Sequence, residues 1–367
     1  MEEMQPKYVV LTLGFVLGMI FGASVQRSQY CTMGAISDVV LMGDTRRIRA
    51  ALLSVAIALI GSQALEGLGI ADLSRSIYRT PTLGWAGAVL GGGAFGFGMV
   101  LAGGCGSRIL SRAGAGNLKS LVAVLVLAVT ALMTLRGLIA TLRRPFEQAM
   151  QIDLRSVGVA SQGLPELLAR ASGLAAGVWQ AVLSVILGLG VATWALSSPT
   201  FRREGRLLTA AVLIGLVIPA AWAATSWGAS DPFEPMVVAS LSFVAPIGEG
   251  LQYLMFFTGA SLGFGAATVG GVLAGSFLAA ASSGEFRLEG FRDTSDLLRH
   301  ISGGMMMGVG GVLSLGCTVG QGLSGLSTLA LGSFIAVASI VLGAVLAIRW
   351  LETGSMAGAL RALFDRA

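Results

Sequence analysis

Three cysteines, Cys31, Cys105 and Cys317, are the residues of this chain best suited to chemistry. They stand far apart, no Cys-x-x-Cys pair occurs, and the single histidine is His300. That argues against a zinc site or a dithiol redox motif, and no metal, cofactor or catalytic residue is expected. Gly104 and Gly106 flank Cys105, while Gly316 and Thr318 flank Cys317. A lone buried cysteine is usually just a small hydrophobe. Two at equivalent places in a repeat, with a third in another broken segment, point instead to a shared use. In apolar surroundings a thiol stays protonated near neutral pH. Such an S–H is a weak donor and does not repel an anion. Its softness suits a soft partner atom, so a sulfur-bearing anion is the natural ligand class.

Polar residues near the cysteines are candidate helpers. "SVQRSQYCTMGAISD" places Arg27 and Gln29 beside Cys31, Arg108 follows Cys105, and Gln321 follows Cys317. Glu249 lies in "APIGEGLQYL", an interrupted approach to an apolar run. Ionisable groups inside a membrane are functional candidates by default. Each of these is equally readable as a charge at the membrane surface. His300 is expected as a solvated span end.

The elements that must carry these residues are membrane helices. Hydrophobic residues make up 54% of the chain and charged ones 12%. The runs Gly173–Leu196, Leu207–Trp227 and Leu331–Ala347 have no charge at all, and a run of about 20 apolar residues spans a bilayer core as a helix. The fold class is an all-α polytopic membrane protein. We expect nine spans, at 8–26, 48–68, 84–104, 118–140, 173–196, 206–228, 237–262, 297–316 and 330–350. Short broken segments are expected at 29–43, 105–113, 264–281 and 317–328. The net charge of +5 marks loops on the cytoplasmic side and does not argue for nucleic acid. The start, "MEEMQPKYVV", lacks the basic region of a signal peptide, so the first span is expected to be retained.

A repeat is visible between 91–105, "GGGAFGFGMVLAGGC", and 303–317, "GGMMMGVGGVLSLGC". Eight of fifteen positions agree, cysteine included. We expect one transport domain over 1–367, with repeat-like halves 8–140 and 173–350 in inverted orientation, joined by an amphipathic surface loop at 141–172. Most glycines of 91–98 and 303–311 are expected to pack helices. Gly104 and Gly316 sit where a span breaks, where freed backbone N–H groups favour an anion. The basic loops at 44–49 and 198–206 fall on one side, which places the N-terminus outside and the C-terminus in the cytoplasm.

"QRSQYCTMGAISD", "GFGMVLAGGCGSR" with "AGAGNLKSL", and "GGVLSLGCTVGQGLSGLSTLALGS" resemble the signature blocks of the YeeE/YedE family of membrane proteins. The resemblance runs from about residue 8 to 350. It implies uptake of thiosulfate or a related sulfur compound across the bacterial inner membrane, with Cys31, Cys105 and Cys317 as stepping points in re-entrant loops. It also implies, by analogy, a small soluble sulfurtransferase as cytoplasmic partner. Tyr30 stands where the family usually has phenylalanine. Two other readings stay open: a membrane thiol enzyme that passes sulfane sulfur through a cysteine persulfide, and transport of another sulfur or selenium compound.

Overall fold

The computed structural model describes residues 6–231 and 234–364; the acidic start, residues 1–5, lies outside the described residues. Helix α1 (Pro6–Ser28) leads into the short α2 (Thr32–Ser37), which continues as a π-helical turn, Asp38–Met42, and then α3 (Arg46–Gly67). After β1 (Thr82–Leu83) come α4 (Trp85–Leu101), α5 (Gly106–Gly114) and α6 (Leu118–Leu135). The next segment holds α7 (Ala140–Met150), β2 (Ile152–Asp153) and α8 (Leu164–Ser172). Then follow α9 (Ala176–Leu196), α10 (Pro199–Arg203), α11 (Gly205–Gly228), α12 (Val244–Met255) and α13 (Phe264–Ser282). Helix α14 (Thr294–Leu313), a π-helical turn at Gly320–Gly325, α15 (Leu331–Thr353) and α16 (Met356–Phe364) close the chain.

Eight helical stretches are long and apolar enough to cross a membrane. Helix α14, with 20 residues, packs among them against α4 and α6. A pattern recurs four times: a long helix, a short broken piece, a long helix. The pieces are α2, α5, α12 and the turn at Gly320–Gly325.

Glycines set how the long helices meet. Along α1, Gly14, Gly18 and Gly22 face Phe264, Thr268 and Val272 of α13, so the two run parallel. Gly92 and Gly96 of α4 face Ala336 and Ile340 of α15, again parallel. By contrast Gly91 meets Gly310 and Gly98 meets Gly303, so α4 and α14 run antiparallel. The two glycine–cysteine stretches therefore point in opposite directions. A Cβ on Gly96 would lie 2.0 Å from the Ile340 carbonyl oxygen. Lipid offers no hydrophobic drive between helices, so such backbone-close packing supplies much of the cohesion.

Two expectations change. Segment 264–281 is not a re-entrant piece: it lies in the uninterrupted 19-residue α13, which is apolar enough to cross. Its Gly271 and Gly275 abut the Phe15 and Met19 carbonyls of α1, so they serve packing and do not break the helix. The break falls in 237–262 instead, where residues up to Phe243 are non-helical and α12 is only 12 residues long.

The segment 141–172, expected as an amphipathic surface loop, carries α7, β2 and α8. It docks onto the protein. Strand β2 pairs with β1, and Gly163 bridges to Ala330. Arg79, buried before β1, forms ion pairs with Glu66 of α3 and Glu166 of α8. We call this side, where α1 begins, the N-terminal face. The opposite face gathers other contacts, among them Arg46–Glu204 at 2.8 Å and Asn117–Glu289 at 2.6 Å.

Candidate functional site

The three cysteines come together from three separate broken segments. At each break the residue two places before the cysteine has a left-handed backbone: Gln29 (φ 57°), Gly103 (φ 69°) and Leu315 (φ 58°). After α4 the turn is closed by Gly104 N–H to Met99 O (2.9 Å), and after α14 by Gly316 N–H to Gly311 O (2.8 Å). This is the Schellman ending, which stops a helix and satisfies its last carbonyls. The chain then reverses, and the cysteine stands before a new short helical piece.

Cys31 caps α2, its sulfur accepting the Gly34 N–H at 3.4 Å. Cys105 caps α5 and lies 3.4 Å from the Ser107 hydroxyl. The Cys317 sulfur accepts the Gly320 N–H at 3.4 Å. The sulfurs of Cys31 and Cys105 are 3.9 Å apart. A Cβ built on Gly106 would lie 3.9 Å from the Cys317 Cβ. The Thr318 hydroxyl lies beside the Cys105 thiol and is buried without a nitrogen or oxygen partner. All three cysteines are buried and free. They form one cluster, in which Cys31 and Cys105 come from the breaks after α1 and α4 and Cys317 from the break after α14.

Gly104 and Gly316 are not the left-handed residues. They are small because of close neighbours: a Cβ on Gly104 would meet Arg108 Cγ at 3.3 Å, and one on Gly316 would meet Gln321 N at 3.2 Å. Gln321 donates to the Ser314 carbonyl across the same loop, while its Oε1 is buried and unpaired.

The other helpers separate by face. Arg108 donates to the Gln29 side chain and to the Val25 carbonyl, so it ties the Cys105 break to the Cys31 break. Arg27 is exposed and reaches Ser282 at 3.3 Å. Arg27 and Gln29 line a basin of about 410 Å³ on the opposite face, with Arg46, Arg47, Arg206 and three carboxylates. Arg47 pairs with Asp38 at 3.3 Å. Its guanidinium comes within 3.0 Å of where a Gly34 Cβ would sit, close under Cys31. Glu249 is not brought to the cysteines. It faces Arg136 at 3.9 Å in a groove of about 540 Å³ on the N-terminal face. His300 is buried rather than solvated, with Nδ1 2.8 Å from the Asp296 carbonyl.

Several residues escaped the sequence reading. Tyr78, from the loop before β1, is buried against Trp222, and its hydroxyl comes within 3.4 Å of a Gly320 Cβ position. Gln162, from the docked segment, is 3% exposed. Together with Ser314, Gln321 and Ser333 they line a small, partly open cavity of about 20 Å³. That is room for about one water. On the other side of the cysteines, Ser276, Ser111 and Gln26 form a buried hydrogen-bond chain that joins α13, α5 and α1. Tyr78, Gln162, Ser111, Ser276 and Ser333 had no signal in composition or spacing, because each acts through partners far away in the chain; Gln26 and Gln321 stand near cysteines in the sequence.

Residues 27–346 match the family model described as sulphur transport. A curated relative named thiosulfate transporter TsuA, from Escherichia coli strain K12, is 27% identical over 354 residues, covering 92% of this chain and 93% of the relative. A protein of the same name from Spirochaeta thermophila is 27% identical over 345 residues, covering 90% and 96%. The probable transporter YedE of Escherichia coli is 37% identical over 111 residues, covering 30% of this chain and 25% of its own.

Proposed function

Since this chain belongs to the sulphur transport (YeeE/YedE) family, we propose that it takes up thiosulfate or a closely related sulfur anion across the bacterial inner membrane through the cysteine cluster. The observation that carries this reading is the convergence of three buried thiols, each before a short helical piece. In this path Cys317 receives the anion and Cys105 and Cys31 pass it on. The S–H groups are weak donors, and conduction needs binding loose enough for release. The Thr318 hydroxyl and the backbone N–H groups after each break supplement them.

The N-terminal face is the outer one in this proposal. Arg46, Arg47, Arg49, Arg202, Arg203 and Arg206 all belong to loops or helix ends of the opposite face, which fits the positive-inside rule. Residues 1–367 then act as one transport domain, with halves 8–140 and 173–350 joined by the docked segment. The basin with Arg27 and Gln29 is the exit, and Arg108 holds two breaks in register beside it. A small sulfurtransferase on the cytoplasmic side would consume the delivered anion.

The test is initial uptake of labelled thiosulfate by liposomes holding wild-type protein or single alanine variants of the cysteines. Losing a hydrogen bond to a charged ligand costs about 1.5–3 kcal/mol, or about ten- to a hundred-fold in rate if it falls on the barrier. Near-normal uptake by Cys105→Ala and Cys317→Ala would remove the thiols from the mechanism. The 3.9 Å approach of Cys31 and Cys105 favours one other reading, transfer of sulfane sulfur through a persulfide. Mass spectrometry after exposure to thiosulfate separates the two, since transport without covalent chemistry leaves all three thiols unmodified.

A further inference from the structure

The path has an entrance that the cysteines do not form. Helix α15 is 23 residues long, and its first turn points into the small cavity beside Cys317. The N-terminus of such a helix attracts negative charge. Here its donors are already used, and by a single residue. Leu331 N–H donates to the Gln162 backbone carbonyl at 3.0 Å, and Gly332 N–H donates to Gln162 Oε1 at 3.2 Å. On its other side Gln162 is held by Thr80, through Thr80 O at 3.1 Å and Thr80 Oγ1 at 3.3 Å.

Two more groups in the cavity lack partners. Ser333 Oγ and Gln321 Oε1 are both buried with no hydrogen bond, in residues 2% and 3% exposed. They converge beside Gly325, 2.4 Å and 2.7 Å from where its Cβ would lie. Buried polar groups are rarely left unpaired, so an unpartnered hydroxyl on the first turn of a helix marks a place for a ligand.

The geometry points to an entry subsite for a small oxyanion, made by the Leu331 and Gly332 amides, the Ser333 hydroxyl and Tyr78, which Gln162 occupies as a stand-in. This rests on the path proposed above, and it adds where the anion's oxygen atoms bind before a sulfur meets Cys317. An amide oxygen in that position is neutral. A charged oxygen makes hydrogen bonds about twice as strong, so an arriving anion displaces Gln162 and opens the segment above it. Chloride, lacking a polyatomic set of oxygens, satisfies fewer of these donors.

The test uses full-length protein in which Cys31 and Cys105 are serine, so that Cys317 alone reports. The rate of Cys317 labelling by a small maleimide is measured with and without thiosulfate. Gln162→Ala removes the side-chain half of the stand-in and frees the Gly332 N–H, while the backbone bond to Leu331 stays. Gly332→Ala displaces that side chain by another route, because the added methyl would lie 2.7 Å from Gln162 Oε1. Each raises the labelling rate about tenfold, the factor of about one lost hydrogen bond. Ser333→Ala raises the thiosulfate concentration for half-protection about fivefold. An unchanged rate in both plug variants, or wild-type protection in Ser333→Ala, overturns the subsite. Uptake by liposomes of the wild-type chain is measured in parallel. If it is robust while the variants show nothing, only the subsite falls; if the wild type shows neither uptake nor protection, the transport reading falls with it.

Discussion

At each break the turn is made by the residue two places before the cysteine, and its identity differs each time. Glycine adopts the left-handed region freely, whereas other residues pay about 1–2 kcal/mol there. Gly103→Ala should therefore lower stability by about that amount. Leu315→Gly should raise it, by less, because glycine also loses more chain entropy on folding. Thermal unfolding of the purified variants in detergent checks both signs. A drop in both would mean that the Leu315 side chain, half exposed in the groove near Gly316, contributes packing that outweighs its strain. The cysteines themselves were legible, because a thiol in a glycine-rich apolar run stands out. Gln162 and Tyr78 were not. Their chemistry comes from the helix start and the loop they meet, and Gln162 and Gly332 are 170 positions apart.

Short elements between long helices carry the three cysteines. The docked segment is the least secured of them. Its strand pairing with β1 is two residues long, and Arg79 joins it to α3 through Glu166 and Glu66. Removing one partner of a buried ion pair costs about 3–5 kcal/mol, since it leaves charge without compensation. Arg79→Leu leaves two carboxylates facing each other. It should loosen the segment, and limited proteolysis should cut near the exposed residues Arg155 and Ser156 much faster than in wild type. An unchanged cleavage rate would show that β1–β2 and the Gln162 contacts suffice. The same scale shows why one span was misread. Segments 237–262 and 264–281 are both apolar and both interrupted by glycines. What separates them is glycine spacing: Gly271 and Gly275 fall four apart and face α1, while Pro246, Gly248 and Gly250 crowd one short helix. Periodicity along one face is the sign of packing, and crowding is the sign of a break.

For the whole molecule the first question is which side each face meets. Ser156 is exposed on the N-terminal face. In a chain without native thiols, Ser156→Cys should react with an impermeant maleimide in intact cells, and a cysteine at Arg203, also exposed, only after lysis. The reverse pattern would invert the proposed orientation.

Helix α9 bears on the same question. It packs on α3 and α8, and most of its residues face outward. It adds little to the core and holds no part of the site. Among the described residues four long helices precede it, α1, α3, α4 and α6, and four follow, α11, α13, α14 and α15. An even number of passes returns a chain to the side it left. Four passes followed directly by four more would set both sets upright, and the loops of Cys31, Cys105 and Cys317 would all open to the same compartment. One odd pass between them turns the second set over. The value of α9 is thus arithmetic: it changes a parity, and in the proposed path that is the difference between a passage and a blind pit.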